Sequence, residues 1–581
     1  MKTLILLVLI LAMVHLSYGQ DVNIPDANFK NALISAGVDT NEDGKISYAE
    51  CETIKKLDVG YKNISDLTGI EAFVNLDTLI CYGNQLISLN VSNNSSLVFL
   101  YCSQNQLVNL DIAGCIALIS LICDCNQLTS LNFTTNTALN YLDCPANQLT
   151  SLDVTNNPAL SHLNCSSNQL TSLNVSGCHA LTHLSCLGNQ LTSLDVSACK
   201  GLTYLSCDGN PMMDDLNIFG CTCLTYLGCS CNRLTSLDVS NFVALKDMDC
   251  SFNQLTSLKI SGCTALENIE IFDNQLTELD ASGCVALTYL RIFNNPLVNL
   301  DVSGCIALED LYCMDNTLAS LDVSGCSALQ YLYCYNNKLT NLDVSSCISL
   351  SFLNCAYNQL ASLDISGCIA LSFLGCTNNR LTSLDVSGCV GIEALDCSNN
   401  QLTTLDVSVC NALWSLSCSG NQLTGLDLSA LSGLYILNCG GNPFTILDLS
   451  MDTALINLSI NDMPALSKVC VWEIPFPVPF DTTNSPNVYF TNECVINSLN
   501  PVKASDKIGL YPNPSNGMLN IKIEKENDAK IEIYTITGKL IYSKGFNSTS
   551  EKIDISGFPG GIYLVKVKQN MEVIVNELVL R

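Results

Sequence analysis

The chain is poor in the residues that usually carry chemistry. Its 581 residues include four His and two Trp, and only 14% are charged, against roughly 25% in ordinary soluble proteins. One of the four His lies in an N-terminal leader, which leaves little for imidazole-based catalysis. Basic residues are scarce, with 25 Lys and Arg against 54 Asp and Glu, a formal charge of −29. Such a surface repels phosphate backbones and excludes nucleic acid as a partner. No stretch beyond the leader approaches the ~20 continuous apolar residues of a membrane span, so no transmembrane span is expected in the mature chain. A hydrophobic content of 48% excludes a disordered chain. Cysteine is abundant instead, at 34 residues.

Residues 1–19 read as a secretory signal peptide. Lys2 is the positive start, Leu4 to Leu16 the apolar run, and Ser17-Tyr18-Gly19 the small-x-small cleavage site. The run is too short for a membrane anchor. The mature chain then begins at Gln20 and matures outside the reducing cytoplasm.

The middle of the chain is one motif repeated. Asn recurs every 21 residues from Asn84 to Asn210 and, after a slip of one residue, from Asn232 to Asn442, which makes 18 copies. Each copy has two halves, L-x-x-L-x-C-x-x-N and L-x-x-L-D-V-x-x-C. This pattern resembles the short, 21-residue bacterial class of leucine-rich repeats with nested half-repeats. The resemblance implies a mainly β fold, a solenoid of about 18 coils with two short parallel strands per coil. Leu-x-Cys and Leu-x-Val have period two, so both side chains of each pair point inward. One coil cannot repay the entropy of ordering its own backbone and must stack on neighbours. The Asn is expected to bond backbone groups of its own coil and the next.

Sixteen copies carry Cys three residues before the Asn, and Ile271 and Ile292 fill that slot in the other two. An Ile substitute marks the slot as apolar, so the thiols are expected to act as small buried hydrophobes. Parallel side chains do not converge to disulfide geometry. Cys470 and Cys494 differ, because they flank a Pro-rich stretch after the last repeat and are the disulfide candidates.

Near the N-terminus, Asp39-Thr40-Asn41-Glu42-Asp43-Gly44-Lys45-Ile46-Ser47-Tyr48-Ala49-Glu50 matches the EF-hand calcium loop. Asp39, Asn41, Asp43, the Lys45 carbonyl, Ser47 and Glu50 are the candidate ligands, and Gly44 permits the turn. A helix before the loop is expected to bury Phe29, Leu33 and Ile34. The calcium would be structural, stiffening a small helical cap. The Asp of the L-D-V strand forms a second acidic feature, present in nine consecutive copies from Asp280 to Asp448. Hydroxyl and backbone bonds are favoured over bound cations as the source of its stability.

The C-terminal segment holds 10 of the 25 Lys and Arg and no Cys, and its alternating runs read as an all-β sandwich. Tyr511-Pro512-Asn513-Pro514-Ser515-Asn516-Gly517, then Gly538, then Pro559-Gly560-Gly561-Ile562-Tyr563 resemble the type A C-terminal sorting domain of the type IX secretion system. That family belongs to Bacteroidota. The resemblance implies export by the type IX secretion machinery, removal of the domain, and release or attachment at the outer cell surface.

The expected order is therefore a signal peptide (1–19), an N-terminal cap with the EF-hand-like loop (20–62), the solenoid (63–465), a C-terminal cap (466–500), a linker (501–506) and the sorting domain (507–581). Outward positions of the first-half strands concentrate the few aromatics: Phe99, Tyr101, Tyr141, His162, His183, Tyr204, Tyr226, Tyr289, Tyr312, Tyr331, Tyr333, Phe352 and Phe373. They form either a stabilising ladder or a binding platform for protein or glycan. His162 and His183 are neighbours across coils, read as part of a surface ladder rather than a metal site. No catalytic motif is present. The leading expectation is a non-enzymatic binding or adhesion protein that is secreted or displayed at the cell surface. The alternatives are a structural surface component without a specific ligand and, last, a hydrolase.

Overall fold

In each first half the Leu before the Cys and its two neighbours form a three-residue strand with the central Leu turned inward, as in Thr78–Ile80 around Leu79. In the computed structural model these strands stack into one parallel sheet of 21 strands, from Lys56–Asp58 to Phe480–Asp481. The described residues are 20–493, 508–511, 517–523, 529–535, 539–569 and 572–580; the segments expected to be the signal peptide and the linker lie outside them. The sheet is three strands longer than the 18 perfect copies. The added strands lack the Asn motif; Lys56–Asp58 and Asn457–Ser459 pair with the two edges of the regular stack, and Phe480–Asp481 pairs with Asn457–Ser459. The central Leu residues stay in register throughout, Leu79 with Leu100 and Leu332 with Leu353. The one-residue slip leaves the register intact. Leu194 pairs with Leu216 and Leu205 with Leu227, so the extra residue is taken up in the turn after Asn210.

The second-half strands depart from the expected continuous sheet. They form five separate pairs, such as Glu278–Asp280 with Asn299–Asp301, and one group of three ending at Tyr489–Thr491. The two turns of the coil explain the asymmetry. In the first turn each ladder Asn clamps two coils together. Asn253 donates through Nδ2 to the carbonyls of Cys229 (2.9 Å) and Cys250 (3.1 Å), and its Oδ1 accepts from the Leu234 N–H at 3.0 Å. The same bonds recur at Asn105, Asn316 and Asn400. In the second turn the corresponding residue is mostly Cys, whose thiol is a weak donor. Cys115 and Cys263 reach the carbonyls of Val91 and Val239 at 3.1 Å, while Cys284 lies 4.0 Å from that of Ile260. A turn pinned by thiols holds its strands less firmly.

All ladder cysteines are buried and unpaired. Burial pushes the Cys81 and Cys439 thiols up to about 12, so they remain neutral and inert. Cys470 is disulfide-bonded, and Cys494 lies outside the described residues.

The N-terminal segment contributes helix α1 (Ala27–Ser35), capped by Asp26, and the short helix α2 (Tyr48–Cys51). Phe29, Ala32 and Leu33 seal the end of the solenoid core. Ile34, expected on the same face, is exposed, because it sits a further ~100° around the helix from Leu33.

The C-terminal unit is separate and antiparallel. Three strands (Ile508–Tyr511, Met518–Ile523, Ser550–Asp554) and four strands (Leu540–Phe546, Ala529–Thr535, Gly561–Gln569, Glu572–Leu580) make two sheets. They enclose one core containing Leu519, Ile531, Ile533, Ile553 and Val565.

Candidate binding surface

Two outward positions per first-half strand, flanking the central Leu, form two columns across the 21-stranded sheet. Parallel in-register pairing places equivalent side chains ~4.8 Å apart, which is close to ring-stacking distance. The aromatics use that spacing. Tyr141 stacks on His162 at 4.2 Å, followed by His183 at 5.6 Å, Tyr204 at 6.0 Å and Tyr226 at 4.7 Å. A second run joins Tyr289 to Tyr312 (5.7 Å), Tyr333 (4.7 Å), Phe352 (4.7 Å) and Phe373 (4.3 Å). Tyr331 lies beside Phe352 at 6.4 Å and is 40% exposed. Tyr101 stacks with Tyr82 at 4.7 Å, and Phe99 sits half-buried on its strand. The structure thus gathers twelve of the thirteen expected surface residues into ring stacks, with faces largely covered by neighbours and edges outward.

His162 and His183 belong to the first stack and have Tyr neighbours on both sides. Burial and the adjacent His183 lower the His162 pKa, so His162 is neutral at physiological pH. Sequence reasoning missed a third stack, in which Phe272 and Phe293 lie 4.5 Å apart with Phe252 edge-on. The 21-residue spacing of Phe272 and Phe293 was the available signal. It also missed Arg291, whose guanidinium lies over Tyr289 (4.9 Å) and Tyr312 (5.2 Å) and 3.7 Å from Glu270.

The acidic ladder on the second half is satisfied locally. All nine Asp from Asp280 to Asp448 accept the N–H of the Ser two residues on, at 2.9–3.0 Å. Bonds from that Ser hold Asp280, Asp322, Asp364, Asp385, Asp406 and Asp427 below the usual carboxylate range.

The EF-hand-like loop is similarly self-bonded. Asp39 accepts from the N–H of Asp43 and Gly44, Asn41 from Asp43, and Asp43 from Lys45. The Lys45 ammonium pairs with Asp21 at 2.7 Å. Glu50 takes the N–H and hydroxyl of Thr40 on one oxygen and those of Ser47 on the other, at 2.9–3.0 Å. Despite burial, these bonds lower its pKa to about 2. Among the described residues no three His, Cys, Asp or Glu side chains are grouped to hold a metal.

In the C-terminal unit, Tyr511 ends its strand, Gly517 is buried at φ 111°, and Gly560 bends into the strand that Gly561 opens. A Cβ on Gly517 would lie 2.8 Å from Ser556 Cβ, so both backbone and space require glycine. The Tyr563 hydroxyl donates to the Pro559 carbonyl at 2.6 Å. Pro512, Asn513, Pro514 and Gly538 lie outside the described residues.

Residues 509–581 match the family model of the secretion system C-terminal sorting domain. No curated protein matches the chain. Among solved structures, YopM from Yersinia enterocolitica is 21% identical with a TM-score of 0.50, over 76% of this chain and 92% of that one. The functional domain of InlJ from Listeria monocytogenes, described as including a cysteine ladder, is 23% identical with a TM-score of 0.42, over 97% of this chain and 99% of that one. The chain has a leucine-rich-repeat solenoid fold and a type IX sorting domain, which makes it a secreted or outer-surface protein. Among the described residues no helix is long and apolar enough to cross a membrane.

Proposed function

We propose that this secreted or surface-exposed solenoid is a non-enzymatic binding or adhesion protein whose first-half sheet engages protein or glycan. The observation that carries this reading is the concentration of aromatic edges on one continuous sheet in a chain only 7% aromatic. Tyr offers apolar area together with a polar hydroxyl, a combination suited to recognition. Replacing Tyr331, Tyr333, Phe352 and Phe373 together by Ala is expected to abolish capture on glycan and protein arrays with an unchanged circular dichroism spectrum. Unchanged capture would move the binding surface elsewhere. The face-to-face stacks also favour a second reading, a structural surface component whose rings serve only to stabilise adjacent strands. Absence of any ligand across both arrays, with a lower melting temperature for the fourfold variant, would support it.

The N-terminal loop carries the donors of a structural calcium site in the right order: Asp39, Asn41 and Asp43 around the Gly44 turn, then the Lys45 carbonyl, Ser47 and the Glu50 carboxylate at the start of α2. Bound calcium would neutralise these clustered carboxylates. Millimolar calcium is expected to raise the melting temperature of the wild type but not of Glu50→Gln, followed by differential scanning calorimetry. An equal rise in both would remove this loop as the site.

A further inference from the structure

The first ring stack stops at Tyr226 and the second begins at Tyr289. The two strands between them carry Asp247 and Asn268 in the same column, in register Tyr226–Asp247–Asn268–Tyr289. Two rungs of the aromatic ladder are therefore missing over three strand steps, ~14 Å. A groove of about 670 Å³ occupies the gap. One face of the Tyr226 ring is covered by Tyr204 at 4.7 Å, nearly parallel at 9°. Its other side fronts the groove, where no ring meets it. At the far end, Tyr289 is covered by the Arg291 guanidinium. Asp247, Asp249, Asn268 and Glu270 line the floor between them.

The polar groups of the floor are already partly engaged. Asn268 donates to Asp247 Oδ1 at 2.6 Å, Ser251 donates through its N–H and hydroxyl to Asp249 Oδ1, and Glu270 faces Arg291. Each carboxylate keeps lone pairs for one or two further donors, and the Asn268 amide holds its oxygen free for another. A hydroxyl suits such single vacancies. Among the described residues no three carboxylates are grouped to hold a metal ion, and a phosphate, sulfate or uronate would be repelled by the carboxylates. A ring with an apolar C–H face and hydroxyl edges meets none of these penalties, and it stacks at the spacing the sheet already imposes on its own rings.

We infer that the gap between Tyr226 and Tyr289 is a binding subsite for a neutral saccharide, its sugar rings standing in for the missing rungs against Tyr226 and its hydroxyls bonded to Asp247, Asp249, Asn268 and Glu270. This deepens the reading of the sheet as a recognition surface and rests on it. Arg291 closes one end of the subsite by covering Tyr289 and holding Glu270.

The test is isothermal titration of the full chain with neutral hexasaccharides of glucose, mannose, xylose and N-acetylglucosamine, alongside heparin and poly-lysine. At least one neutral hexasaccharide is expected to bind. Tyr226→Ala and Asn268→Ala should each weaken it tenfold or more, while Tyr435→Ala, at an exposed site outside the groove, leaves it unchanged. Melting curves verify that each variant is folded, and Tyr226→Phe should retain most of the affinity, because the ring face and not the hydroxyl makes the stack. Binding of no neutral hexasaccharide, or equal binding by Tyr226→Ala, overturns the subsite. Poly-lysine binding that is lost with Tyr226→Ala overturns it in favour of a cation site. Failure of the subsite leaves the wider sheet reading standing, since that reading falls on the array results, through absence of any ligand or full retention of binding by the fourfold aromatic variant.

Discussion

Asn253→Leu is expected to destabilise the solenoid by about 3–5 kcal/mol. The substitution removes no apolar contact and replaces a buried amide with a side chain of similar size. The cost is in hydrogen bonds. The Leu234 N–H and the carbonyls of Cys229 and Cys250 lose their Asn253 partner in a site that water cannot reach, as Asn253 is only 8% exposed. The Leu234 N–H is left without a partner, which costs about 1–3 kcal/mol, while the Cys229 and Cys250 carbonyls keep the amides of Asn232 and Asn274 and each loses one bond worth about 1 kcal/mol. Because those groups belong to adjacent coils, the lesion falls on the interface between them, and coupling between coils is what holds a solenoid together. Guanidinium denaturation should show an earlier or split transition. Asn299→Ser, at an exposed strand position, should stay within about 0.5 kcal/mol of the wild type.

The asparagine ladder also shows why so much of this fold was legible in the sequence. A solenoid repeats one environment, so every position is read many times over. Ile271 and Ile292 in the Cys slot disclosed an apolar interior, and the regular Asn disclosed a polar one with fixed partners. The unrepeated features were harder to read. The sequence-based reading missed the unevenness of the second sheet, because the strength of a thiol as a donor is not visible in a spacing. It placed Tyr226 and Tyr289 on the binding face but passed over Asp247 and Asn268. Their role comes from interrupting a pattern, and a search for recurrence discards interruptions. Phe480–Asp481 was missed as a strand for a related reason, since end coils are stabilised by their neighbours rather than by their own motif.

The second large effect concerns pH. Asp452 occupies the second-turn slot that other coils fill with Cys, with Asn or, at Phe242 and Leu431, with an apolar side chain, and it is 2% exposed with Oδ1 unpartnered. Where that slot is polar, the residue donates. Asn94 gives its amide to the carbonyls of Ile70 and Phe73, Asn136 to those of Ile112 and Cys115, and Cys115 its thiol to that of Val91. A carboxylate has nothing to donate. Burial, reinforced by Asp448 and Asp427, raises the Asp452 pKa from 3.8 to about 7. The folded protein therefore binds a proton that the unfolded chain releases near pH 4, and stability falls as pH rises from about 4 through 7. Each tenfold difference in proton affinity is worth about 1.4 kcal/mol, so the loss approaches ~4 kcal/mol above pH 7. Asp452→Asn supplies a permanent donor of the same shape. It is expected to raise the melting temperature at pH 8 and to flatten the decline between pH 4 and 7. A variant that melts like the wild type at pH 8 would show that Asp452 ionises without penalty.

Each clamp asparagine reaches only its own coil and the one before it, and the sheet absorbs a one-residue insertion after Asn210 without losing register. Excision or duplication of a whole coil would therefore rejoin surfaces already complementary to one another. The gene can lengthen or shorten the array by unequal recombination, one increment at a time, and each increment would shift the position of any interrupted rung along the face. Reach and recognition in this molecule are thus open to separate evolutionary adjustment.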